Sequence, residues 1–137
     1  FKGIGVECRT DIQVGEELPY MELCQILSNG LENAYDALSG LAENDREVSV
    51  QMKYSKNYIL IRIRNRCRED LHVERGTEVK TDKKGNDHGF GLRTVSEAAA
   101  RLNGEMFCYT ENGNFLLDVM VETRGEAERK AVLENGQ

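Results

Sequence analysis

The chain has 137 residues and a formal net charge of −6, which suits one domain and argues against a nucleic-acid-binding module, since such modules usually present a basic face. Apolar residues make up 39% and charged residues 31%, a balance typical of a folded domain rather than a disordered chain. No apolar run approaches the ~20 residues that cross a bilayer, so we expect no direct membrane contact. Because Phe1 is not a start residue and no signal-peptide pattern follows, we interpret the chain as an excised domain.

The cysteines are spaced in a way that fits no zinc site, and none belongs to a Cys-x-x-Cys pair. They are Cys8, Cys24, Cys67 and Cys108. A chain of this length buries enough surface to fold without covalent staples, so we favour free thiols in a reducing cytoplasm over two disulfides.

The first half of the chain predicts a strand, a long helix and a hairpin. Residues 3–8 partly alternate between apolar and polar side chains, which favours a short strand. Pro19 suits a first helical turn, and the following pattern predicts a helix over residues 20–41, with stop signals from Ser39-Gly40 onwards. Two alternating runs, 48–54 and 59–64, flank a short turn and predict a β-hairpin.

The second half begins with a segment without periodicity, residues 66–88, in which six basic and six acidic side chains balance. A loop of this length inside a domain is usually functional or disordered. A helical pattern resumes over residues 92–102 and ends at Asn103-Gly104. Residues 106–109 and 115–121 then flank Asn112-Gly113, a dipeptide typical of a tight hairpin turn.

Strand pairs therefore alternate with helices along the chain. This order predicts an α+β fold, a two-layer sandwich in which a mixed, mostly antiparallel sheet packs on helices. We expect the domain to occupy residues 1–122, and residues 123–137 to form a charged, flexible C-terminal tail.

The long predicted helix has an apolar and a polar face. With Asn29 at zero on a helical wheel, the apolar side chains lie between about 120° and 200°, namely Leu23, Leu27, Leu31, Ala34, Leu38 and Leu41. Asn33 lies at about 40°, Asp36 at about 340° and Glu32 at about 300°. Asparagine is a weak helix former, so two asparagines one turn apart indicate oxygen ligands for a hard cation such as Mg²⁺; an ordinary solvated helix face is the alternative.

Two glycines flank Phe90 after the long loop, where the second predicted helix starts. Gly89 and Gly91 would let a phosphate approach the backbone, and the unpaired N–H groups of a helix start favour an anion. The pattern is neither a Rossmann nor a Walker loop, and glycines that only cap the helix are the alternative. Asn65, at the end of a predicted strand, is either a reader of a base edge or a turn residue.

In this order the three features resemble the GHKL superfamily, the ATP-binding fold of gyrase, the heat-shock chaperone, histidine kinases and MutL. Residues 24–37, which read Cys-Gln-Ile-Leu-Ser-Asn-Gly-Leu-Glu-Asn-Ala-Tyr-Asp-Ala, resemble its N box, and residues 88–92, His-Gly-Phe-Gly-Leu, resemble its second glycine box. The chain is most similar to the peptide-sensing, quorum-type histidine kinases, whose N box has the form Asn-Leu-Leu-(Asp/Glu)-Asn-Ala-Ile-Glu-Ala. The resemblance covers about residues 3–121. It implies the Bergerat fold with a long ATP lid.

The resemblance implies ATP and Mg²⁺ as cofactors. Asn33 would hold Mg²⁺ against the phosphates, and Asn29 would touch phosphate or complete the metal shell. Lys83, or equally Lys84, would neutralise phosphate charge. The remaining implied nucleotide-binding residues are Asp36 on the helix and His88, Gly89, Gly91 and Leu92 at the second glycine box, with His88 either binding phosphate or ordering the lid.

Asn65 lies where the family usually has the adenine-reading Asp of an Asp-x-Gly motif. Here the residues are Asn65-Arg66-Cys67, without the glycine. The resemblance implies that the Asn65 oxygen accepts a hydrogen bond from the adenine amino group without carrying a charge.

Asn29 stands where the ATP-hydrolysing branches of the family have a glutamate, and an amide cannot act as a base. Glu32, beside Asn33, is the candidate base toward an incoming histidine, which makes Glu32 and Asn33 the candidate catalytic residues. Phosphoryl transfer depends mainly on positioning and charge neutralisation, so we favour a phosphotransferase over an ATPase.

Only His72 and His88 occur in the chain, and neither lies on a predicted helix before an acidic residue as a phosphoacceptor would. The resemblance thus implies the catalytic half of a two-component sensor histidine kinase, with dimerisation and phosphoacceptor helices before Phe1. Implied partners are those helices, a second copy in the full-length homodimer and a response regulator. The implied location is the cytoplasmic end of a membrane-anchored bacterial receptor.

Two other functions remain open. An anti-sigma-type serine kinase has the same fold and would transfer phosphate to a protein serine. A non-catalytic nucleotide-binding module would use the same site without transfer.

Overall fold

The computed structural model describes residues 3–11, 18–55, 57–76 and 88–123, without the side chains of residues 88–90. The elements follow in the order β1 (Gly5–Asp11), α1 (Tyr20–Ser39), a 3-10 helix (Glu43–Asp45), β2 (Glu47–Ser55), β3 (Tyr58–Arg66), α2 (His88–Arg101), β4 (Glu105–Glu111) and β5 (Asn114–Glu122). The order of strands and helices predicted from the sequence is thereby confirmed.

The strands form one mixed sheet in the spatial order β1-β2-β3-β5-β4. β1 pairs with β2 in parallel, and the other three pairs are antiparallel. The parallel pair needs a crossover, which contains α1, whereas tight turns join β2 to β3 and β4 to β5. The mixed, mostly antiparallel sheet predicted from the sequence is confirmed.

Alternation along β3 decides which face of the sheet is buried. Ile59, Ile61, Ile63 and Asn65 are buried, and the residues between them are exposed. The core lies between this face and the two helices. The core residues of α1 are Leu23, Ile26, Ala34 and Leu38, and those of α2 are Leu92, Val95, Ala98 and Ala99. Helices on one face of a sheet give the predicted two-layer α+β sandwich.

Most boundaries differ from the sequence prediction by one or two residues, and those of β1 and α2 differ by more. β1 covers Gly5–Asp11 instead of residues 3–8, because its pairing with β2 continues to Asp11. α1 ends at Ser39 instead of residue 41. α2 begins at His88 instead of residue 92, so Gly89 and Gly91 lie in its first turn; their low helix propensity hid this turn from the sequence pattern.

The segment predicted as a long loop is partly anchored to the sheet. The Val73 N–H donates to Oγ1 of Thr110 at 2.8 Å, and the Thr110 N–H donates to the Val73 carbonyl at 2.9 Å. Gly76 forms an antiparallel bridge with Cys108. These contacts are mostly between backbone groups, so they leave no side-chain periodicity in the sequence. Residues 77–87 of the predicted lid lie outside the described residues, as does the tail from residue 124.

The cysteines of the domain are free thiols, two exposed (Cys8 and Cys24) and two buried (Cys67 and Cys108). Burial raises the pKa of Cys67, and it raises the pKa of Cys108 to about 11. Neither α1 nor α2, the helices in the described part of the chain, is long and apolar enough to cross a membrane.

Candidate functional site

α1 turns a different face to the sheet than the helical wheel predicted. Its buried residues are Leu23, Ile26, Gly30, Asn33, Ala34 and Leu38. Their centre lies at about 100° on the wheel, instead of the predicted centre at about 160°. The prediction that Leu31 belongs to the apolar face is wrong, since Leu31 is 37% exposed. Ile26 and Gly30, which the predicted apolar face omitted, account for the rotation.

The same rotation places Asn33 at the edge of the buried face, where only 9% of the residue is exposed. Within the described part of the chain, its carboxamide makes no hydrogen bond, and no fully buried polar side-chain atom lacks a partner. The polar tip of Asn33 therefore still reaches solvent while the rest of the residue packs. An amide oxygen held in this way fits Mg²⁺, which takes oxygen ligands and keeps several waters.

Asn29 lies one turn before Asn33, and its Nδ2 donates to the backbone carbonyl of Gln25 at 2.9 Å. Because a carbonyl only accepts, this bond commits the amino group of Asn29 and leaves Oδ1 available as an acceptor. A Cβ added to Gly91 would lie 3.9 Å from the Asn29 backbone oxygen and 4.0 Å from its Oδ1. The first turn of α2 thus lies against Asn29, which joins the N box to the glycine box.

Gly91 is not required by the packing of α2 on α1, because 3.9 Å is ordinary van der Waals contact and an alanine would fit. The first N–H groups of a helix have no partner within the helix, and they favour an anion. A side chain at this position would extend toward Asn29, so the glycine keeps the space between the two helices open.

Asn65 is the last member of the buried row on β3 and is 1% exposed. It stands between Val48 of β2 and Phe115 of β5. Its Nδ2 donates to the backbone carbonyl of Arg66 at 2.8 Å, which leaves Oδ1 as an acceptor. An exocyclic amino group, such as that of adenine, is a complementary donor. Cys67 follows in the same row, also buried, where the family pattern has glycine.

The other predicted site residues are distributed differently. Glu32 and Asp36 are exposed on α1. The Leu92 side chain packs in the core, so only its main chain is left for a ligand. Lys83, Lys84 and the side chain of His88 lie outside the described residues, and Gly89 lies in the first turn of α2.

Gly30 is a residue that the sequence analysis missed. A Cβ at this position would lie 2.5 Å from Cδ1 of Ile63 and 3.1 Å from Cδ2 of Leu117. Ile63 and Leu117 face each other across β3 and β5, and the next pair on this face is Asn65 with Phe115. Gly30 thus lets α1 approach the sheet beside Asn65. The available signal was a glycine inside a strong helical pattern.

Comparison with models of protein families matches residues 18–122 to the GHKL domain. A search of curated proteins gave no match.

Solved structures of histidine kinases share the fold. The nucleotide-free catalytic domain of histidine kinase ThkA is 16% identical with a TM-score of 0.63, and the match covers 88% of this chain and 80% of that domain. Histidine kinase AdeS of Acinetobacter baumannii is 11% identical with a TM-score of 0.62, covering 90% of this chain and 56% of AdeS. The blue-light activated histidine kinase EL346 of Erythrobacter litoralis is 14% identical with a TM-score of 0.62, covering 93% and 38% respectively. At these identities the likeness establishes the fold alone.

Proposed function

The chain belongs to the GHKL domain family, and from this premise we propose that it binds Mg-ATP between α1, the end of β3 and the first turn of α2. The observation that carries the proposal is the closeness of Gly91 to Asn29, where an added Cβ would lie 3.9 Å from the backbone oxygen and 4.0 Å from Oδ1. It places a side-chain oxygen of the N box near a helix start, whose first N–H groups have no partner within the helix. The first group suits a hard cation and the second suits a phosphate.

In this proposal Asn33 supplies an oxygen to Mg²⁺, and Asn29 contacts phosphate or completes the metal shell. The role of Asn33 is supported by its burial, which leaves only the polar tip accessible. The role of Asn29 is supported by its Oδ1, which is available as an acceptor. When bound, Mg²⁺ neutralises the charge of the phosphates. Gly89, Gly91 and the main chain of Leu92 receive the phosphates at the first turn of α2.

Adenine recognition falls to Asn65. Its Oδ1 accepts from the adenine amino group, while its own amino group is committed to Arg66. We assign Asp36 to the nucleotide site through its place on the exposed side of α1, on the turn that follows Asn33. Lys83 or Lys84 would neutralise phosphate charge, and His88 would bind phosphate or order the lid.

The reaction that we propose is transfer of the γ-phosphoryl group of ATP to a histidine outside this chain. An imidazole nitrogen attacks the γ-phosphorus, the bond to the bridging oxygen breaks, and ADP leaves. Glu32, exposed next to Asn33, is the proposed acceptor of the imidazole proton. Positioning and charge neutralisation carry most of the catalysis in such transfers.

For the whole protein we propose a two-component sensor histidine kinase of the quorum-type subgroup. The N box of residues 24–37 and the glycine box of residues 88–92 support the subgroup. The partners would be dimerisation and phosphoacceptor helices of the same protein, a second copy and a response regulator. The domain would occupy residues 1–122, at the cytoplasmic end of a membrane-anchored receptor.

Calorimetric titration of Mg-ATP into the wild type, Asn33→Ala and Asn33→Asp tests the nucleotide site. We expect Asn33→Ala to weaken binding by about tenfold or more, since it removes a metal ligand worth at least about 1.4 kcal/mol. Asn33→Asp keeps an oxygen and should retain Mg²⁺-dependent binding. The matched control is Asn44→Ala, an exposed asparagine in the 3-10 helix. Equal affinity of all four proteins would contradict the proposal.

A further inference from the structure

We infer that Gly30 is a positioning residue of the nucleotide site: it sets the depth of α1 on the sheet and thereby the place of Asn29 and Asn33. The inference rests on the proposed function, because it concerns the same site. It adds a residue to that site that touches neither nucleotide nor metal. It also predicts which residue on the sheet compensates when Gly30 is changed.

Gly30 lies where α1 passes close to the sheet. Its Cα faces the pair Ile63–Leu117, and an added Cβ would lie 2.5 Å from Cδ1 of Ile63. Real Cβ atoms do not approach other heavy atoms that closely, so either Ile63 or α1 would have to shift. Cδ1 is the end of a flexible side chain, but Ile63 is 1% exposed, and a close-packed core offers little space into which that side chain could turn.

Glycine in the middle of a helix is otherwise unfavourable, because alanine has the higher helix propensity. The close approach to the sheet is therefore the physical reason for glycine at this position. The N box that the chain resembles has leucine directly after its first asparagine, where this chain has Gly30. In this chain the volume next to residue 30 is filled from the sheet, by Ile63 and Leu117.

The position of Gly30 in the helix connects this contact to the site. It directly follows Asn29 and precedes Asn33 by three residues, so both side chains move with the helix when its depth changes. Asn29 also lies against Gly91 of α2, and Ile63 is two residues before Asn65. A shift of α1 away from Ile63 would thus separate the amide oxygens of α1 from Asn65 on the sheet. Misplacement of binding groups by as little as 1 Å is enough for large losses of function.

The test compares the full chain with Gly30→Ala, Ile63→Val, the double variant Gly30→Ala/Ile63→Val, and Gly40→Ala. Ile63→Val removes the Cδ1 atom that an added Cβ would meet. Gly40→Ala is the matched control, since a Cβ at Gly40 meets nothing within 4 Å. For each protein, thermal unfolding gives the Tm. Calorimetry gives the Kd of ATP with Mg²⁺ and in EDTA, and the ratio of the two is the gain from Mg²⁺.

We expect Gly30→Ala to weaken Mg-ATP binding by about tenfold and to lose most of the gain from Mg²⁺, because Asn33 is displaced. Binding and gain should return in the double variant and stay at the wild-type level in Ile63→Val and Gly40→Ala. A folded Gly30→Ala protein with an unchanged gain from Mg²⁺ overturns the inference and leaves the proposed function intact. A loss of affinity that is equal with and without Mg²⁺ also overturns it.

If Gly30→Ala does not fold, the double variant decides. A folded double variant with the wild-type gain from Mg²⁺ supports the inference, whereas a double variant that is unfolded or lacks the gain overturns it. If the wild type binds no nucleotide, the proposed function fails and the inference falls with it. The Tm values would then still test the packing contact, since Gly30→Ala should lower the Tm and the added Ile63→Val substitution should raise it again in the double variant.

Discussion

Asn65 places a buried carboxamide at the end of a row of three buried isoleucines on β3. A buried amide costs stability unless it is hydrogen-bonded. Its amino group is satisfied by the carbonyl of Arg66, whereas none of the described hydrogen bonds uses its Oδ1. This is consistent with the adenine-reading role that we propose for Asn65.

Substitution of Asn65 by alanine should therefore weaken recognition of the adenine base and leave binding of the phosphates unchanged. We expect Asn65→Ala to weaken ATP binding by about tenfold, because a buried hydrogen bond to the adenine amino group is lost. Binding of inorganic tripolyphosphate should be unchanged. Calorimetry with both ligands measures the difference, and Asn114→Ala on the opposite face of the sheet is the control. Equal weakening of both ligands would show that Asn65 only supports the fold.

Cys108 links stability to pH. Burial, followed by the nearby charge of Asp118, raises the pKa of its thiol from 9.0 to about 11. The folded protein therefore holds the thiol proton more tightly than the unfolded chain does. This contribution to stability is fully present below pH 9.0 and is lost as pH rises through about 11.

We predict that Cys108→Ala reduces the alkaline loss of stability. Two pKa units correspond to about 2–3 kcal/mol, so the free energy of unfolding should fall by about that much less between pH 9 and pH 11 in the variant. Urea unfolding at several pH values, compared between the two proteins, cancels the groups they share. Parallel curves for wild type and variant would contradict the prediction.

Among the elements, the passage from α2 into β4 is constrained by both hydrogen bonds and close packing. Asn103 has a left-handed φ of 52°, its N–H donates to the Ala100 carbonyl, and the Gly104 N–H donates to the Ala99 carbonyl at 2.8 Å. This is a Schellman motif, which pairs the last carbonyls of a helix. Gly104 then passes directly against β5, because an added Cβ would overlap the carbonyl oxygen of Met120.

Gly104→Ala should consequently destabilise the domain by about 2–4 kcal/mol, since the atom in its way belongs to the backbone of a central pairing and cannot rotate aside. Chemical unfolding measures the change. Gly40→Ala, at the end of α1, is the matched control and should change stability by less than about 0.5 kcal/mol, because its Cβ would meet open space. Similar values for the two variants would exclude the steric explanation.

At the scale of the molecule, the proposed chemistry is divided between this chain and another domain. Neither of the two histidines of this chain precedes an acidic residue on a helix, since His72 lies in the segment after β3 and His88, which begins α2, is followed by Gly89. The proposed function therefore separates nucleotide binding, which we propose for this chain alone, from phosphotransfer, which would require an acceptor helix.

Incubation of the chain with ATP labelled on the γ-phosphate should accordingly leave the protein unlabelled under conditions where calorimetry detects Mg-ATP binding. An intact histidine kinase in the same assay provides the positive control. Acid-labile label on His72 or His88 would contradict the division between the two domains, and label on a serine would favour the anti-sigma-type kinase.

Periodicity and turn chemistry predicted most of the fold. Alternation along residues 59–64 identified β3, and Asn112-Gly113 identified the last turn, where both residues have positive φ of 51° and 77°. These signals are local, since each depends on neighbouring residues in the chain. The pairing of residues 73–76 with β4 was not predictable in this way, because backbone hydrogen bonds to a distant strand leave no pattern in the side chains.

The sequence by itself determined the order of elements. It also identified the asparagines of the N box and the glycines at the start of α2 as candidate site residues, because residue type and spacing mark them. Only the tertiary structure decided which face of α1 is buried. Gly30 faces Ile63 and Leu117 where that helix approaches the sheet, and in this orientation Leu31 is exposed and Asn33 is buried. The physical reason is that helix depth depends on the volumes of side chains from three separate segments. The sequence of one helix does not contain the volumes of the side chains that pack against it from the other segments.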